Sequence, residues 1–261
     1  MSADVSVPVT VFGRDGPPLI LLHGLAGSSR EMLPTARVLG DAFRVLLMDQ
    51  RGHGSATRRP ADLSREAFID DVVHVLEQLA PGKRCILVGQ PMGAHTAFLT
   101  AAARPDLVER LVMLEGHVAG SDDTGEAVGL GEFFASWPVP FADEDEARTF
   151  LGSGASVDAW IADLEVTHGG LRPRFDADVM QHTIEAVHKP AGRSWRLCGF
   201  RRSQSSRRTG CSATPKRTSW SGVVRGLNAS TCRRGATMRI LTPSESGSVP
   251  CAAGCCPTRR L

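Results

Sequence analysis

The chain has 261 residues, of which 42% are hydrophobic and 22% are charged, and its formal net charge is +2. This ordinary globular mixture excludes a collagen-like, coiled-coil or wholly disordered protein, and the length is enough to bury a sizeable core. No apolar run approaches the roughly 18 residues of a membrane-spanning helix, and residues 1–8 lack the pattern of a signal peptide. We therefore expect a cytoplasmic protein that has no membrane partner.

The chain has two parts of different amino-acid composition, with a boundary near Gly192. Residues 1–192 carry 16 Lys and Arg against 27 Asp and Glu, whereas residues 193–261 carry 14 Lys and Arg against one acid, Glu245. Six of the seven cysteines, and none of the eight histidines, lie in the second part. The composition predicts an organised region up to about residue 190 and a basic tail over 191–261.

Four short apolar runs in the first part are typical of strands, because each has strand length and ends at turn residues. They span residues 18–22, 43–48, 84–88 and 111–114. Apolar residues at helical spacing, from Phe68 to Leu79 and from Ala94 to Ala103, predict helices between the strands. This alternation predicts an α/β fold with a mostly parallel sheet flanked by helices, in which ligands bind beyond the C-terminal ends of the strands.

Glycine-containing motifs stand where three of these strands end. The third strand runs into Gly89-Gln90-Pro91-Met92-Gly93, which has the G-x-S-x-G spacing of a nucleophile elbow with proline in the serine position. The motifs after the first two strands are His23-Gly24-Leu25-Ala26-Gly27 and Asp49-Gln50-Arg51-Gly52-His53-Gly54. In these motifs and their order, the sequence resembles the α/β-hydrolase superfamily over about residues 8–190.

The resemblance implies an α/β-hydrolase fold in three parts. Residues 1–117 would form the N-terminal part of the core, 118–190 a helical cap, and 191–261 would stand where the last strands and helices belong. The cap-like region is rich in aromatic residues around Pro138-Val139-Pro140. Among them, Trp137 is expected either to pack in the core of the cap or to line an apolar acyl pocket.

The resemblance also implies a reaction: hydrolysis of a carboxylic ester or related acyl bond of a small molecule through a serine acyl-enzyme, without a metal or organic cofactor. The backbone N–H groups of Leu25 and Met92 would form the oxyanion hole. His23, Gly24 and Gln90 would line the substrate site.

The catalytic groups themselves are missing. Pro91 has no hydroxyl, and its ring fixes φ near about −65°, whereas an elbow nucleophile is held at positive φ. The family's histidine follows the last strand, but the last histidine here is His188 in the cap-like region. Glu115, after the fourth strand, is a candidate triad acid, although a structural role is the simpler interpretation. We therefore predict that this chain is inactive or strongly impaired.

The tail admits more than one interpretation. A shifted reading frame explains the missing acids and histidine together, because a one-base offset restores a strand-like run over 196–210 and a histidine-containing loop near 237–241. One base also separates serine from proline codons. A basic tail that binds nucleic acid is disfavoured, because aromatic residues are few and no recognition motif is present. For the chain as a whole, the alternative function is that of a non-catalytic α/β-hydrolase-fold protein that binds a small ligand. If two strands are lost and the C-terminal part of the fold is missing, we expect an exposed sheet edge, uncovered apolar faces, and poor solubility or partial folding.

Overall fold

The computed structural model describes residues 5–115 and 125–188 in full, and the backbone of 124, 200–205 and 238–243. The strands, in chain order, are β1 Val9–Phe12, β2 Pro18–Leu22, β3 Arg44–Met48, β4 Cys85–Gly89, β5 Val108–Leu114, β6 Glu165–Thr167, β7 Gly170–Arg172, β8 Phe200–Ser205 and β9 Met238–Pro243. The helices are α1 Leu33–Leu39, α2 Arg65–Leu79, α3 Pro91–Ala103, α4 Thr124–Ala135, α5 Glu144–Leu151, α6 Ala155–Ala162 and α7 Ala177–His188.

The main sheet has the strand order β1-β3-β2-β4-β5-β9-β8. Its centre is parallel, since β2 pairs in parallel with both β3 and β4, and β4 pairs in parallel with β5. The edges are antiparallel: β1 pairs with β3, β9 with β5, and β8 with β9. The four strands predicted from the sequence are the central four, and the α/β fold class is confirmed.

The expected loss of the last two strands is not seen: the backbone of β9 pairs with β5 from Leu111 to Leu114, and β8 pairs with β9 and forms the edge of the sheet. The sequence did not indicate these strands, since the region holds few apolar runs. The rest of the tail, and with it the reading-frame hypothesis, lies outside the described residues, as does the predicted start of the cap at residue 118.

Alternate residues of the central strands point to opposite faces of the sheet, as the two-residue period of a strand requires. Ile20, Leu22, Leu46 and Met48 pack against α2 and α3. Their neighbours Leu19, Leu21, Val45 and Leu47 pack on the other face, against α1. The β2 and β3 residues are buried on both faces, which is why these strands appear in the sequence as continuous apolar runs.

The helices α4 to α7 form a layer with its own apolar cluster. Its buried aromatic residues are Phe134, Trp137, Phe141 and Phe175, and Ala26 of the core packs into the same cluster. The region predicted as a helical cap therefore contains helices that close over the loop after β2. The sequence did not predict its hairpin of β6 and β7, whose strands have three residues each.

Arg58 joins this helical layer to the core. Its guanidinium donates to the carboxylates of Asp176 and Glu165 at 2.8 and 3.1 Å, and to the carbonyl oxygens of Pro173 and Phe175. The neighbouring Arg59 pairs with Asp176 and Asp178 on the surface.

We expect Arg58→Met to loosen the helical layer, because four bonds across more than 100 residues of chain are lost at once. Limited proteolysis should then cut within 124–188 at least several times faster than in the unaltered chain. Arg59→Met is the control, because exposed ion pairs contribute little. Equal cleavage rates in the two variants would show that Arg58 does not hold the layer in place.

Candidate active site

The turn between β4 and α3 is built on two glycines. A Cβ at Gly89 would lie 2.3 Å from the carbonyl carbon and oxygen of Gly93. A Cβ at Gly93 would lie 2.3 Å from the carbonyl oxygen of Leu22. Because only glycine fits at either position, the first turn of α3 packs directly on β4 and on the end of β2.

Pro91 is the first residue of α3, where a missing N–H and a fixed φ are tolerated. Gln90 before it is extended, with φ −86° and ψ 166°, and its N–H donates to the Leu22 carbonyl at 3.0 Å. Among the described non-glycine residues, only Ala26 and Glu115 have positive φ. The turn therefore keeps the close strand–helix packing of an elbow without the strained residue at its tip.

The loop after β2 faces this turn. A Cβ at Gly24 would be 3.9 Å from the Cβ of Gln90 and 4.0 Å from the Cδ of Pro91. Inside the loop, the Gly27 N–H donates to the Gly24 carbonyl at 3.2 Å, and Ala26 has a φ of 58°. Leu25 stands within this turn, and Met92 is in the first turn of α3, whose N–H groups have no acceptor within the helix. The two amides predicted to bind an oxyanion therefore lie on segments that face each other.

His23 supports the loop. Its Nδ1–H donates to the Gly24 carbonyl at 2.8 Å, and its Nε2 accepts the Gln50 N–H at 3.0 Å, so both ring nitrogens are engaged. The side-chain amide of Gln50 donates in turn to the His23 carbonyl at 2.9 Å. Burial lowers the pKa of His23, so that the ring stays neutral. This geometry fits a structural role better than proton transfer.

Two further polar residues hold the loop after β3. Asp49 accepts the N–H groups of Ser29 and Ser55, at 2.6 and 2.9 Å, and so links the loops that follow β2 and β3. His53 donates from Nδ1 to the Arg51 carbonyl at 2.9 Å. Burial lowers the pKa of His53 to about 3, and the His23 ring 5.2 Å away adds to this, because two neighbouring imidazoles cannot readily both carry a proton. The histidines next to the turn are therefore uncharged at neutral pH.

Glu31 is a partly buried carboxyl group that the sequence analysis missed. Its Oε1 accepts the Gly24 N–H at 3.2 Å, and a Cβ at Gly27 would lie 2.6 Å from its Oε2. The carboxyl group thus fills the inside of the turn that carries Leu25. Burial raises its pKa from 4.5 to about 7, while the hydrogen bond from Gly24 opposes the shift and Asp163 adds to it. Glu31 lies in a four-residue 3-10 helix, Ser29–Met32, which is too short to show a periodic pattern in the sequence.

We expect Glu31→Gln to stabilise the protein at pH 8 and to change little at pH 4. The pKa of this group is higher in the folded chain than in the unfolded one, so folding stability falls as pH rises from about 4.5 to about 7. A pKa difference of this size corresponds to about 3 kcal/mol of unfolding free energy. In the Glu31→Gln variant, the side-chain amide oxygen can still accept the Gly24 N–H. Urea unfolding at both pH values measures the effect.

Glu132→Gln, at an exposed position, is the control for these urea-unfolding measurements. It should change the free energy of unfolding by the same small amount at pH 4 and at pH 8. A Glu31→Gln effect that did not depend on pH would contradict the raised pKa.

The other predicted site residues lie apart from the turn. Glu115 is exposed at the end of β5 with a φ of 57°, and no described contact joins it to a histidine. Trp137 is 3% exposed, with its ring against Phe134, Trp160 and Phe175, so it lies in the core of the helical layer. His188 lies 3.7 Å from Glu126, within the same layer. The described residues thus bring together Leu25, Gly24, His23, Gln90, Pro91 and Met92, but not Glu115.

A search of the described residues for three or more His, Cys, Asp or Glu side chains placed to hold a metal ion found none. A separate search of the described helices found none long and apolar enough to cross a membrane.

Curated relatives match part of the chain. The sn-1-specific diacylglycerol lipase ABHD11 of Danio rerio is 40% identical over 103 residues, which are 39% of this chain and 32% of the relative. A 2-(acetamidomethylene)succinate hydrolase of Mesorhizobium japonicum is 27% identical over 186 residues, 66% of this chain and 63% of the relative. The chain therefore spans only about a third to two thirds of the length of these two relatives.

Solved structures and a family profile agree with the fold. The crystal structure of E-2-(acetamidomethylene)succinate hydrolase is similar with a TM-score of 0.63 and 24% identity, covering 75% of this chain and 74% of that one. This likeness shows the fold alone. The sequence model of the α/β hydrolase fold family matches residues 17–154, more than half of the chain. On this match, and on the strand–turn–helix geometry at Gly89–Gly93, the chain belongs to the α/β-hydrolase family.

Proposed function

We propose that this protein has the site of an ester or acyl-bond hydrolase and that, with proline at position 91, the site binds an acyl compound without turning it over. The carbonyl oxygen of the ligand would accept hydrogen bonds from the N–H groups of Leu25 and Met92. The single observation that carries the proposal is the close-packed turn at Gly89–Gly93, which faces Gly24 but presents a proline.

The relatives support the class of ligand. They include proteins named as a diacylglycerol lipase and as succinate-derivative hydrolases, all of which are hydrolases. We therefore infer a small-molecule ligand with a carboxylic ester or related acyl group. Acyl transfer in such a site needs a hydroxyl nucleophile and a base to take its proton. Pro91 supplies no hydroxyl, while His23 and His53 are buried with nitrogens turned to backbone groups.

The oxyanion donors can be retained without the nucleophile, because they are backbone amides. Their placement depends on Gly24, Gly89 and Gly93 and on the support that His23 and Glu31 give to the loop. None of these features needs a side chain at position 91. Ligand binding and turnover are therefore separable in this chain: the backbone amides can bind the ligand, while the missing nucleophile prevents its hydrolysis.

Titration of the ¹⁵N-labelled chain with phenyl butyrate tests the proposal, with butyl phenyl ether, which lacks the carbonyl, as the matched control. We expect the ester to shift the amide signals of Leu25 and Met92 saturably, the ether to shift them much less, and no phenol to be released above the buffer rate. Equal shifts with ester and ether would refute the oxyanion site. Phenol released in proportion to protein would refute the loss of turnover.

A further inference from the structure

The turn that carries Leu25 combines hydrogen-bond donors with a carboxyl group. The Gly24 carbonyl accepts the His23 Nδ1–H at 2.8 Å and the Gly27 N–H at 3.2 Å. That carbonyl belongs to the same peptide unit as the Leu25 N–H, so the two bonds polarise this N–H and strengthen it as a donor. The Glu31 carboxyl group lies inside the same turn, where its Oε1 accepts the Gly24 N–H at 3.2 Å. A charge on Glu31 is therefore bonded to the amide that precedes the one proposed to bind the ligand.

Ligand and water can both reach this turn. Pro91 is exposed, and Gly24 and Leu25 are partly exposed, so a small molecule can approach these residues from solvent. The Glu31 side chain is itself partly exposed and can exchange its proton with water. The proposed ligand and the titrating carboxyl group therefore lie close together, and neither needs a route through the closed core.

The surroundings of Glu31 favour its neutral form. Burial is the main cause of its raised pKa of about 7, the hydrogen bond from Gly24 opposes the shift, and the charge of Asp163 adds to it. Asp163 follows α6, and its own pKa is raised chiefly by burial, with a smaller contribution from Asp49 in the loop after β3. His23, which bonds to the Gly24 carbonyl, is neutral because burial lowers its pKa. Acidic groups from three segments thus share this region, and a charge on Glu31 is disfavoured.

The cations near Glu31 are paired with other acids. The Oδ1 of Asp163 lies 3.4 Å from the Nε of Arg30 and 3.6 Å from the Nε of Arg174, and Arg174 also pairs with Glu165. Within the described residues, no ion pair joins a cation to Glu31. When Glu31 is ionised, it therefore presents a negative charge without an ion pair of its own to whatever binds at the turn.

The charge on the ligand oxygen decides how strongly a bound ligand interacts with Glu31. The carbonyl oxygen of an ester or amide carries only a partial negative charge, whereas a carboxylate brings a full one. Two full charges of the same sign repel strongly where burial limits solvent screening, which is the effect that raises one pKa in a pair of neighbouring carboxyl groups. Binding of a carboxylate at Leu25 therefore requires that Glu31 take up a proton.

We propose that Glu31 selects the ligand by charge: when Glu31 is ionised, the oxyanion turn binds neutral acyl compounds and rejects carboxylates, and when Glu31 is protonated, the turn accepts both. Glu31 does not touch the ligand and acts only through its charge. The inference rests on the proposed acyl site, but it requires no turnover. It implies that the compounds held here at mildly alkaline pH are esters or amides rather than the corresponding free acids.

Phenylacetate and phenylacetamide test the proposal as a matched pair, because they share the ring and the acyl carbon and differ in charge. Calorimetric titration of the full chain at pH 5.5 and pH 8.5 gives both affinities, and the Leu25 and Met92 amide signals at pH 5.5 show whether the compounds bind at the turn. We expect phenylacetate to bind at least about tenfold more weakly at pH 8.5, since Glu31 is neutral below a pKa of about 7 and charged above it. The affinity for phenylacetamide should change by less than about twofold.

Proton uptake gives an independent readout from the unaltered chain. Titrations at pH 8 in buffers of different ionisation enthalpy should show that phenylacetate binds with proton uptake and that phenylacetamide binds without it. Equal affinity for phenylacetate at the two pH values, or binding without proton uptake, would overturn the selection by charge while leaving the acyl site intact. If neither compound shifted the Leu25 and Met92 amides, the acyl site itself would be refuted and this inference with it.

Three substitutions assign the effect to Glu31. Glu31→Gln removes the charge, so phenylacetate should bind equally well at both pH values, about as tightly as to the unaltered chain at pH 5.5. Glu132→Gln, at an exposed position of α4, is the control and should keep the full pH dependence. Asp163→Asn removes a charge that favours the neutral form of Glu31, so the loss of affinity should begin at a lower pH. An unchanged pH dependence in Glu31→Gln would overturn the proposal, and so would the absence of proton uptake in the unaltered chain if Glu31→Gln did not fold.

Discussion

Gly89→Ala should abolish cooperative folding, or cost at least about 3 kcal/mol of unfolding free energy, because the added Cβ has no space. It would meet the backbone carbon and oxygen of Gly93 at 2.3 Å and the backbone nitrogen of Ala94 at 2.4 Å. Backbone atoms cannot rotate away as a side chain would. The first turn of α3 would therefore have to move off the sheet. Urea unfolding followed by circular dichroism measures the loss.

Gly129→Ala is the matched control for this substitution. Gly129 lies inside α4, and a Cβ there would meet no atom within 4 Å. Alanine should therefore stabilise the protein, by about 0.5–1 kcal/mol, through its better helix propensity. If Gly89→Ala were as harmless as this control, the close strand–helix contact that defines the turn would not exist in solution.

Asp71→Asn should cost about 3–5 kcal/mol, because it leaves the Arg51 guanidinium buried without its counter-charge. Both carboxylate oxygens of Asp71 accept from Arg51 at 2.7 Å, and the two side chains are 2% exposed or less. Arg51 also donates to the Asp62 carbonyl at 2.7 Å, so the same pair fixes the loop between β3 and α2. The measurement is the free energy of unfolding in urea at pH 7.

Asp106→Asn provides the comparison for an exposed pair. Asp106 also accepts from an arginine, Arg104, at 2.8 Å, but its side chain is 60% exposed. Solvent screens such a pair, so the change should cost less than about 1 kcal/mol. Similar costs for the two aspartates would mean that Asp71 is not the buried partner that the structure describes.

The sequence predicted the parts of the fold whose signal is local. The run Pro18–Leu22 has the bounds of β2, since five buried residues in a row leave little ambiguity. The helix predicted from Phe68 onward begins three residues earlier, at Arg65, because Ser64 caps it by accepting the Ala67 N–H. β1 was missed, because it has only four residues, of which the middle two are exposed.

The candidate site was predictable only as far as the motifs reach. Pro91, Gly24, Leu25 and Met92 were found because they stand at fixed positions after strands. Glu31 was not, because its role depends on a hydrogen bond from the Gly24 N–H that no sequence pattern marks. The pairing of β9 with β5 was likewise invisible, since it joins segments more than 100 residues apart.

The most direct test of the central claim is the hydrolysis of p-nitrophenyl butyrate by the purified full-length chain, with the Gly89→Ala protein prepared identically to define the contaminant rate. An α/β-hydrolase-family site with proline at position 91 predicts the same rate for both proteins, at the level of buffer plus contaminant. A rate for the unaltered chain at least about tenfold above that of the variant, and proportional to its concentration, would contradict the account, since it would show a nucleophile other than residue 91 at work.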